Sequence, residues 1–298
     1  MFSYYQLSHR RHHMYHNHID KDYSHPWYTP DRLEREDEGA ARLMHKAGIL
    51  RFLFPFYGWA IYLYGMPDGS HFIPWSSQRM WKESPNSEYT KCVISTVSCI
   101  AWAALIYVAC GQDLKTMAYY YGAPWIMLGW WLVAVTYLQH HNPETLVYDD
   151  EDWKFVDSAF ETVDRTFGFG IDTLHHHITG NKCKSKMHTT NTFSVRFLPS
   201  TMQSAHLTML PTVTFNTDGH VAHHLFFTKI PHYNLPIATK AIKNYMIKSG
   251  LGWMYKSENT YDFVYRTHKY FLDFGFKSHR APKTGVVPPT TAASKKQE

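Results

Sequence analysis

Residues 93–110 read VISTVSCIAWAALIYVAC and residues 117–138 read MAYYYGAPWIMLGWWLVAVTYL. Neither stretch contains a charged side chain, and each is close to the ~20 residues that a helix needs to cross a bilayer core. Because the link at 111–116 is very short, the two stretches predict a membrane hairpin. The alternative is a pair of buried helices in a soluble protein, but the length of the stretches and their Tyr and Trp flanks favour the membrane.

The hairpin decides where the rest of the chain lies. It returns the chain to the side from which it came, so residues 1–91 and 139–298 share one face. These two segments carry nearly all of the Lys and Arg, which predicts a cytosolic face. Residues 48–65 are apolar but contain Arg51 and Pro55, and they read as an interfacial or half-buried segment. The expected fold is an all-α integral membrane protein, with helical hairpin spans and a cytosolic His-rich helical cap.

Composition narrows the functional classes. The chain has 16% aromatic residues and ten Trp, which suits a protein at a membrane interface, and its mean hydropathy of −0.39 predicts only a few spans. The net charge of +5 comes from scattered basic residues, so we expect no nucleic-acid partner. The four Cys form no CxxC pair, which favours a reducing compartment or burial in the membrane.

Histidine is strongly over-represented, with 21 residues. The sequences HRRHH at 9–13 and HVAHH at 220–224 share HxxHH spacing, which places their histidines on one face of a helix. His140 follows the second apolar stretch, and His176 is the best candidate in a third group at 175–177. The candidate metal ligands are therefore His9, His12, His13, His140, His176, His220, His223 and His224.

This donor set indicates the kind of metal site. A structural zinc site usually closes with four ligands, often including Cys, so eight His without Cys favour two metal ions, and imidazole suits iron as well as zinc. A di-iron centre beside lipid fits the count. Nearby acidic residues are candidates for orienting the imidazoles, although solvated surface charge is the simpler explanation for any one of them: Asp20, Asp22, Asp149, Asp150 and Asp172.

Five stretches carry a resemblance to a known family: HRRHH at 9–13, GMPDGSHF at 65–72, VTYLQHHNPE at 135–144, ETVDRTFGFGIDTLHHHIT at 161–179 and HVAHHLFFTKIPHYNLPIATKAIK at 220–243. They resemble the membrane-bound delta-12/omega-3 (methyl-end) fatty acid desaturases over residues 1–280. The resemblance implies two iron ions, O2 as co-substrate, electrons from cytochrome b5 and its reductase, and an acyl-CoA or phospholipid acyl chain that gains a cis double bond. The choice between delta-12 and omega-3 stays open.

The resemblance also assigns the ligands. His9, His12 and His13 match the family's second histidine box, and His220, His223 and His224 match the third. His140 and His176 match two further family histidines. The family carries an earlier HDxGH box and hairpin that this sequence does not show, so we expect an incomplete, defective copy that does not bind both irons.

Residues 180–217 have no counterpart in the family and split His176 from His220. We hypothesise that they are a retained intron, because codons for Gly180-Asn181 can contain a GTAA donor and codons for Thr217-Asp218 an AG acceptor. A genuine loop insertion is the alternative.

The C-terminal segment 281–298 reads as disordered, and its Lys295 and Lys296 resemble an endoplasmic reticulum retrieval signal facing the cytosol. The expected location is the endoplasmic reticulum membrane, with several spans and cytosolic histidine boxes. The alternatives are a hydroxylase, acetylenase or conjugase of the same family, a non-catalytic truncated form, and a zinc-binding regulatory membrane protein.

Overall fold

The computed structural model describes residues 2–22, 24, 25, 27, 29, 46–65, 85–142, 144–168, 171, 219–227, 229–231, 234–273 and 278–281. Several predictions lie outside these residues: the ligand His176, the insertion 180–217, the tail from residue 282 and the retrieval signal Lys295 and Lys296.

The described part of the chain is mostly helical. Its α-helices are α1 (Phe2–Met14), α2 (Phe54–Gly65), α3 (Asn86–Ala109), α4 (Leu114–Met117), α5 (Ala123–His140), α6 (Phe155–Ala159), α7 (His220–Leu225), α8 (Leu235–Lys248) and α9 (Phe263–Leu272). Short 3₁₀ helices span Gly48–Leu53 and Gly252–Met254.

Helix α3 contains the first predicted span. It begins after Pro85, and Lys91 pairs with Glu88 at 2.7 Å in its first turns, before the uncharged run begins. At 24 residues it is about 36 Å long, which exceeds the ~30 Å of a bilayer core. Its apolar side chains face outward, including Ile94 and Leu105 at 61% exposure each. Among the described residues, it is the one helix long and apolar enough to cross a membrane.

The second predicted span is not one regular helix. A tight turn at Gly111 and Gln112 follows α3, and Asp113 caps α4 by accepting hydrogen bonds from the amides of Lys115 and Thr116. A π-helical segment, Ala118–Gly122, then joins α4 to α5. One face of α5 is buried in the protein, including Val133, Ala134 and Leu138, and the helix ends at the buried His140.

Helix α2 packs along α5 and forms most of segment 48–65, which the sequence predicts to be interfacial or half-buried. Pro55 lies in the first turn of α2, where its missing amide hydrogen costs no helical bond. Phe54 packs with Val133 of α5 and Phe271 of α9 in one core cluster. Gly129 of α5 lets Trp59 approach, since a Cβ there would lie 3.0 Å from the Trp59 Cβ. The segment is therefore helical and half-buried, as expected.

The all-α prediction is wrong in one detail, because the described part of the chain also contains short parallel strands. Strand β1 (Leu146–Val147) pairs with β4 (His279–Arg280), and β2 (Val163–Thr166) pairs with β3 (Lys256–Asn259), with Val163 opposite Lys256. Runs of two to four residues are too short to show the alternating pattern that predicts a strand. Strand β2 lies beside α7 and so helps to hold the HxxHH sequence at 220–224.

Candidate metal centre

Helix α1 carries the first HxxHH box on its buried face. His12 and His13 are buried, and His9 is half-buried one turn earlier. The helix ends at Met14, and Asn17 in the following turn has φ 54°, a left-handed conformation that Asn tolerates. The Asn17 side chain donates to the Leu146 carbonyl at 2.8 Å, which anchors the end of α1 against β1. This turn keeps His16 buried beside the box.

Helix α7 carries the second HxxHH box and is held at its first residue. Gly219 precedes it with φ 58°, and the Asp164 carboxylate of β2 accepts a hydrogen bond from the Val221 amide at 3.0 Å. Val221 packs in a core cluster with Phe160 and Met246. These contacts aim the histidines of α7 at α1.

The first group consists of four buried histidines of the described chain. They come from α1, the turn after it, α5 and α7, and are His12, His16, His140 and His224. Each offers a ring nitrogen, and these nitrogens all lie within 4.8 Å of one another. The six ring-to-ring distances lie between 4.3 and 5.2 Å. A single divalent cation with imidazole ligands requires such an arrangement.

A second group lies beside the first and consists of His9, His13 and His223. The Nε2 atoms of His9 and His13 are 3.1 Å apart, and the rings of His13 and His223 are 4.4 Å apart. Phe227 stacks on His13 at 4.0 Å and closes one side. The centre is thus divided between two adjacent donor groups, both of histidine alone.

Each HxxHH box supplies both groups. The neighbours His12 and His13 belong to different groups, as do His223 and His224, because adjacent residues on a helix point about 100° apart. His220 belongs to neither group, although its Nε2 is 2.9 Å from the His140 Nε2. Six of the eight predicted ligands thus belong to the two groups, and a seventh, His220, lies beside them.

One of the predicted acidic residues orients a histidine of the groups. The Asp22 carboxylate lies 2.9 Å from His12 Nδ1 and also accepts hydrogen bonds from the backbone amides of Asn17 and Ser24. Asp150 contacts His18, which lies outside both groups, and Asp149 pairs with Arg280. Asp20 is exposed, and Asp172 is outside the described residues.

Several buried nitrogens of the two groups have no hydrogen-bond partner. They are His12 Nε2, His13 Nδ1 and both ring nitrogens of His224. A buried nitrogen without a partner costs about 1–3 kcal/mol, and metal coordination would remove that cost. The residues therefore fit a metal ion.

The same histidines are held in the neutral form that a metal ligand requires. Burial, together with smaller effects of the neighbouring His12 and His223, lowers the pKa of His9 to about 3. Burial also holds the pKa values of His13 and His224 well below 6.5. A neutral imidazole keeps one lone pair for coordination.

Sequence reasoning missed three buried histidines of this region. His16 is four residues after His12, so the helical spacing that found the box would also have placed it beside that residue. His141 was adjacent to a predicted ligand, whereas His25 had no spacing signal. The last two contact each other at 3.1 Å, and Trp27 stacks on His141 at 4.6 Å.

Comparison with known proteins agrees with this chemistry. Residues 1–257 match the family described as fatty acid desaturase. The chain is 34% identical over 282 residues to the delta(12) fatty acid desaturase fat-2 of Caenorhabditis elegans, covering 93% of this chain and 62% of the relative. It is 35% identical over 278 residues to the omega-3 fatty acid desaturase fat-1 of the same organism, covering 91% and 55%.

A more distant relative is named for its electron donor and location. It is the acyl-lipid omega-3 desaturase (cytochrome b5), endoplasmic reticulum, of Arabidopsis thaliana, with 29% identity over 249 residues that cover 80% of this chain and 50% of the relative. No solved structure matches the chain significantly. The chain thus spans between half and two thirds of the length of these relatives.

Proposed function

This chain belongs to the fatty acid desaturase family, and we propose on that premise that its histidines hold the iron centre of a methyl-end fatty acyl desaturase. The ligands we assign are His9, His12, His13, His140, His176, His220, His223 and His224. The observation that carries the proposal is the pair of adjacent histidine groups with buried nitrogens that lack any hydrogen-bond partner.

The chain's own residues prepare this site in three ways. Burial keeps the imidazoles neutral, Asp22 sets the direction of His12, and the helix interface of α1 and α7 excludes water. Two iron ions with O2 would supply the oxidising power that removes two hydrogens from an acyl chain. Exclusion of water protects that chemistry from side reactions.

We also propose a membrane hairpin of residues 93–110 and 117–138, with the histidine boxes in a cytosolic cap and the whole chain in the endoplasmic reticulum membrane. The exposed apolar surface of α3 and the turn at Gly111 support this topology. A glycosylation acceptor inserted on a flexible spacer after Gly111 is expected to be modified, whereas one at the C-terminus is not. Modification of both would contradict the hairpin.

The substrate and electron donor follow from the relatives. Their names include delta-12 and omega-3 desaturases and a cytochrome b5-dependent enzyme. We therefore propose a fatty acyl chain, carried by CoA or phospholipid, as the substrate and cytochrome b5 with its reductase as the donor.

Fatty-acid profiling in yeast tests the function. One strain expresses the chain as written, and a second expresses a version without residues 180–217 that is preceded by the HDxGH box segment of a relative. We expect a newly desaturated fatty acid only in the second strain, because 180–217 is proposed to be an insertion that separates His176 from His220. Product from the chain as written would contradict our proposal that this copy is defective.

The ligand assignment has its own control in the second strain. His12→Ala or His223→Ala is expected to abolish the product, since each removes one donor nitrogen. His268→Ala is the matched histidine outside both groups, where its Nε2 accepts from Trp130 at 3.2 Å, and it is expected to retain product. Product in both ligand variants would contradict the assignment.

A further inference from the structure

We propose that His16 is a metal ligand, coordinating through Nε2, and that it completes a four-nitrogen site with His12, His140 and His224. This inference rests on the proposed metal centre and adds a ligand outside the two HxxHH boxes. It has the further consequence that the chain as written binds one divalent metal ion at this group.

The first argument is the tautomer of His16. Its Nδ1 lies 2.8 Å from the backbone carbonyl oxygen of Ser158. A carbonyl only accepts hydrogen bonds, so Nδ1 carries the proton and Nε2 carries the lone pair. Metal-binding histidines characteristically donate their other N–H to a carbonyl or carboxylate, as His16 does here and as His12 does to Asp22.

The second argument is placement. The His16 side chain is buried, and its Nε2 lies 2.9 Å from His140 Nδ1. Its ring centre is 4.3 Å from that of His224 and 5.2 Å from that of His12. The lone pair of His16 therefore lies among the other three donors of the group.

A chain of hydrogen bonds is the competing explanation. His220 could donate to His140, which could in turn donate to His16. That chain would satisfy three rings, but it leaves His12 Nε2 and both nitrogens of His224 buried without partners. One cation among the four rings would coordinate His12 Nε2 and one nitrogen of His224, so each of the four rings would have a partner, which is why we prefer it.

The site is also complete in number. Four neutral nitrogen donors are enough to close a coordination shell around one divalent ion. The second group supplies three donors from the described residues. We therefore expect the chain to hold its first metal ion at the four-histidine group.

Asparagine substitutions separate coordination from packing. Asn at position 16 can place an amide N–H where His16 Nδ1 lies, which retains the bond to Ser158 while removing Nε2. His268→Asn is the matched control, because His268 Nδ1 lies 2.6 Å from the Phe52 carbonyl and the residue lies outside both groups. His12→Asn is the positive control, since it retains a donor to Asp22 and also removes Nε2.

The measurement is Fe(II) binding to the full chain in detergent micelles without oxygen, by chelator competition and metal content. We expect one tight equivalent in the unsubstituted chain. Its binding is expected to be more than about 100-fold weaker in His16→Asn and in His12→Asn, because the loss of an orienting partner alone costs about 10–100-fold. His268→Asn is expected to bind as the unsubstituted chain does. Thermal unfolding of the metal-free proteins checks that each variant folds, and His16→Ala, which offers no donor atom, is a second variant if His16→Asn does not fold.

The outcomes distinguish this inference from the proposed function. Weaker binding in His12→Asn with unchanged binding in His16→Asn overturns the assignment of His16 alone. Unchanged binding in both, or no tight equivalent in the unsubstituted chain, overturns the four-histidine site itself and counts against the proposed metal centre. Weaker binding in both, with His268→Asn unchanged, supports the inference.

Discussion

Asp22 shows how a single buried carboxylate sets the direction of the nitrogen that we propose as a metal ligand. One of its oxygens faces His12 Nδ1 at 2.9 Å and the Ser24 amide at 3.2 Å, and the other accepts from the Asn17 amide at 3.2 Å. All three neighbours donate, so both carboxylate oxygens are needed. His12 Nε2 is thereby left as a lone pair in the four-histidine group.

The Asp22→Asn substitution is expected to weaken Fe(II) binding by about 10–100-fold. An amide has only one oxygen, so its NH2 group must face either the Asn17 amide or the donors of His12 and Ser24, and either repulsion disturbs the hydrogen bond that orients His12. Chelator competition on the full chain in detergent measures the effect.

Asp150→Asn is the matched control for this prediction. Asp150 contacts His18 at 3.0 Å and has a 67% exposed side chain, and His18 belongs to neither group. The change of charge is the same, but Fe(II) affinity is expected to be unaltered. Equal losses in the two variants would mean that net charge, and not orientation of His12, explains the effect.

At the scale of elements, α7 depends on its surroundings. It has six residues, far fewer than the 12–15 that an isolated helix needs to be even marginally stable. Its first turn relies on Gly219, which adopts a positive φ and whose missing Cβ leaves room for Thr239 and Leu235 of α8. The second HxxHH box, on α7, is thus positioned by one glycine and by packing on α8.

The Gly219→Ala substitution is expected to lower the free energy of unfolding by more than about 2 kcal/mol. The left-handed conformation alone costs a non-glycine residue about 1–2 kcal/mol, and the new Cβ would lie 2.8 Å from Thr239 Oγ1 and 3.0 Å from Leu235 Cβ. Thermal or urea unfolding in detergent measures the change, and metal affinity is expected to fall with it.

Gly250→Ala isolates the conformational part of that effect. Gly250 has φ 72°, but a Cβ there would meet nothing within 4 Å. Its loss of stability is expected to stay within about 1–2 kcal/mol, with metal affinity unchanged. If the two variants are equally destabilised, the close packing of α8 on Gly219 is not what places the box.

The sequence predicted elements whose signals are local and missed those fixed by distant contacts. Helical spacing was enough to bring His9, His12 and His13 together, and the uncharged run was enough to predict α3. The division of adjacent histidines between two groups depends on how α1 and α7 face each other, which no single segment encodes. His25 was not predictable because its place beside His141 is set by tertiary packing alone.

At the scale of the whole molecule, Arg165 of β2 joins the end of α5 to strand β3 and the residue that follows it. It is buried, and its Nε donates to the Leu138 carbonyl near the end of α5. Its Nη1 donates to Glu258 at 2.6 Å and to Thr260 at 3.1 Å. Burial raises the pKa of Glu258, but the guanidiniums of Arg165 and Arg266 outweigh burial and lower that pKa below its usual value.

The Arg165→Lys substitution is expected to destabilise the metal-free protein by about 1–3 kcal/mol. A lysine cannot reach all three partners, although partial exposure of Glu258 keeps the loss below the ~3–5 kcal/mol of a fully buried pair. Because the folded pKa of Glu258 is lowered, its ion pairs stabilise the fold above the unfolded pKa and lose that effect as pH falls through the folded one. The difference from the unsubstituted chain should therefore shrink in acid, as followed by thermal unfolding against pH.

Arg266→Lys changes the more exposed partner of the same carboxylate and should cost no more than about 1 kcal/mol. Equal effects of the two substitutions would show that ion pairing with Glu258, and not the hydrogen bond from Arg165 to the Leu138 carbonyl, stabilises the packing of β2 against α5.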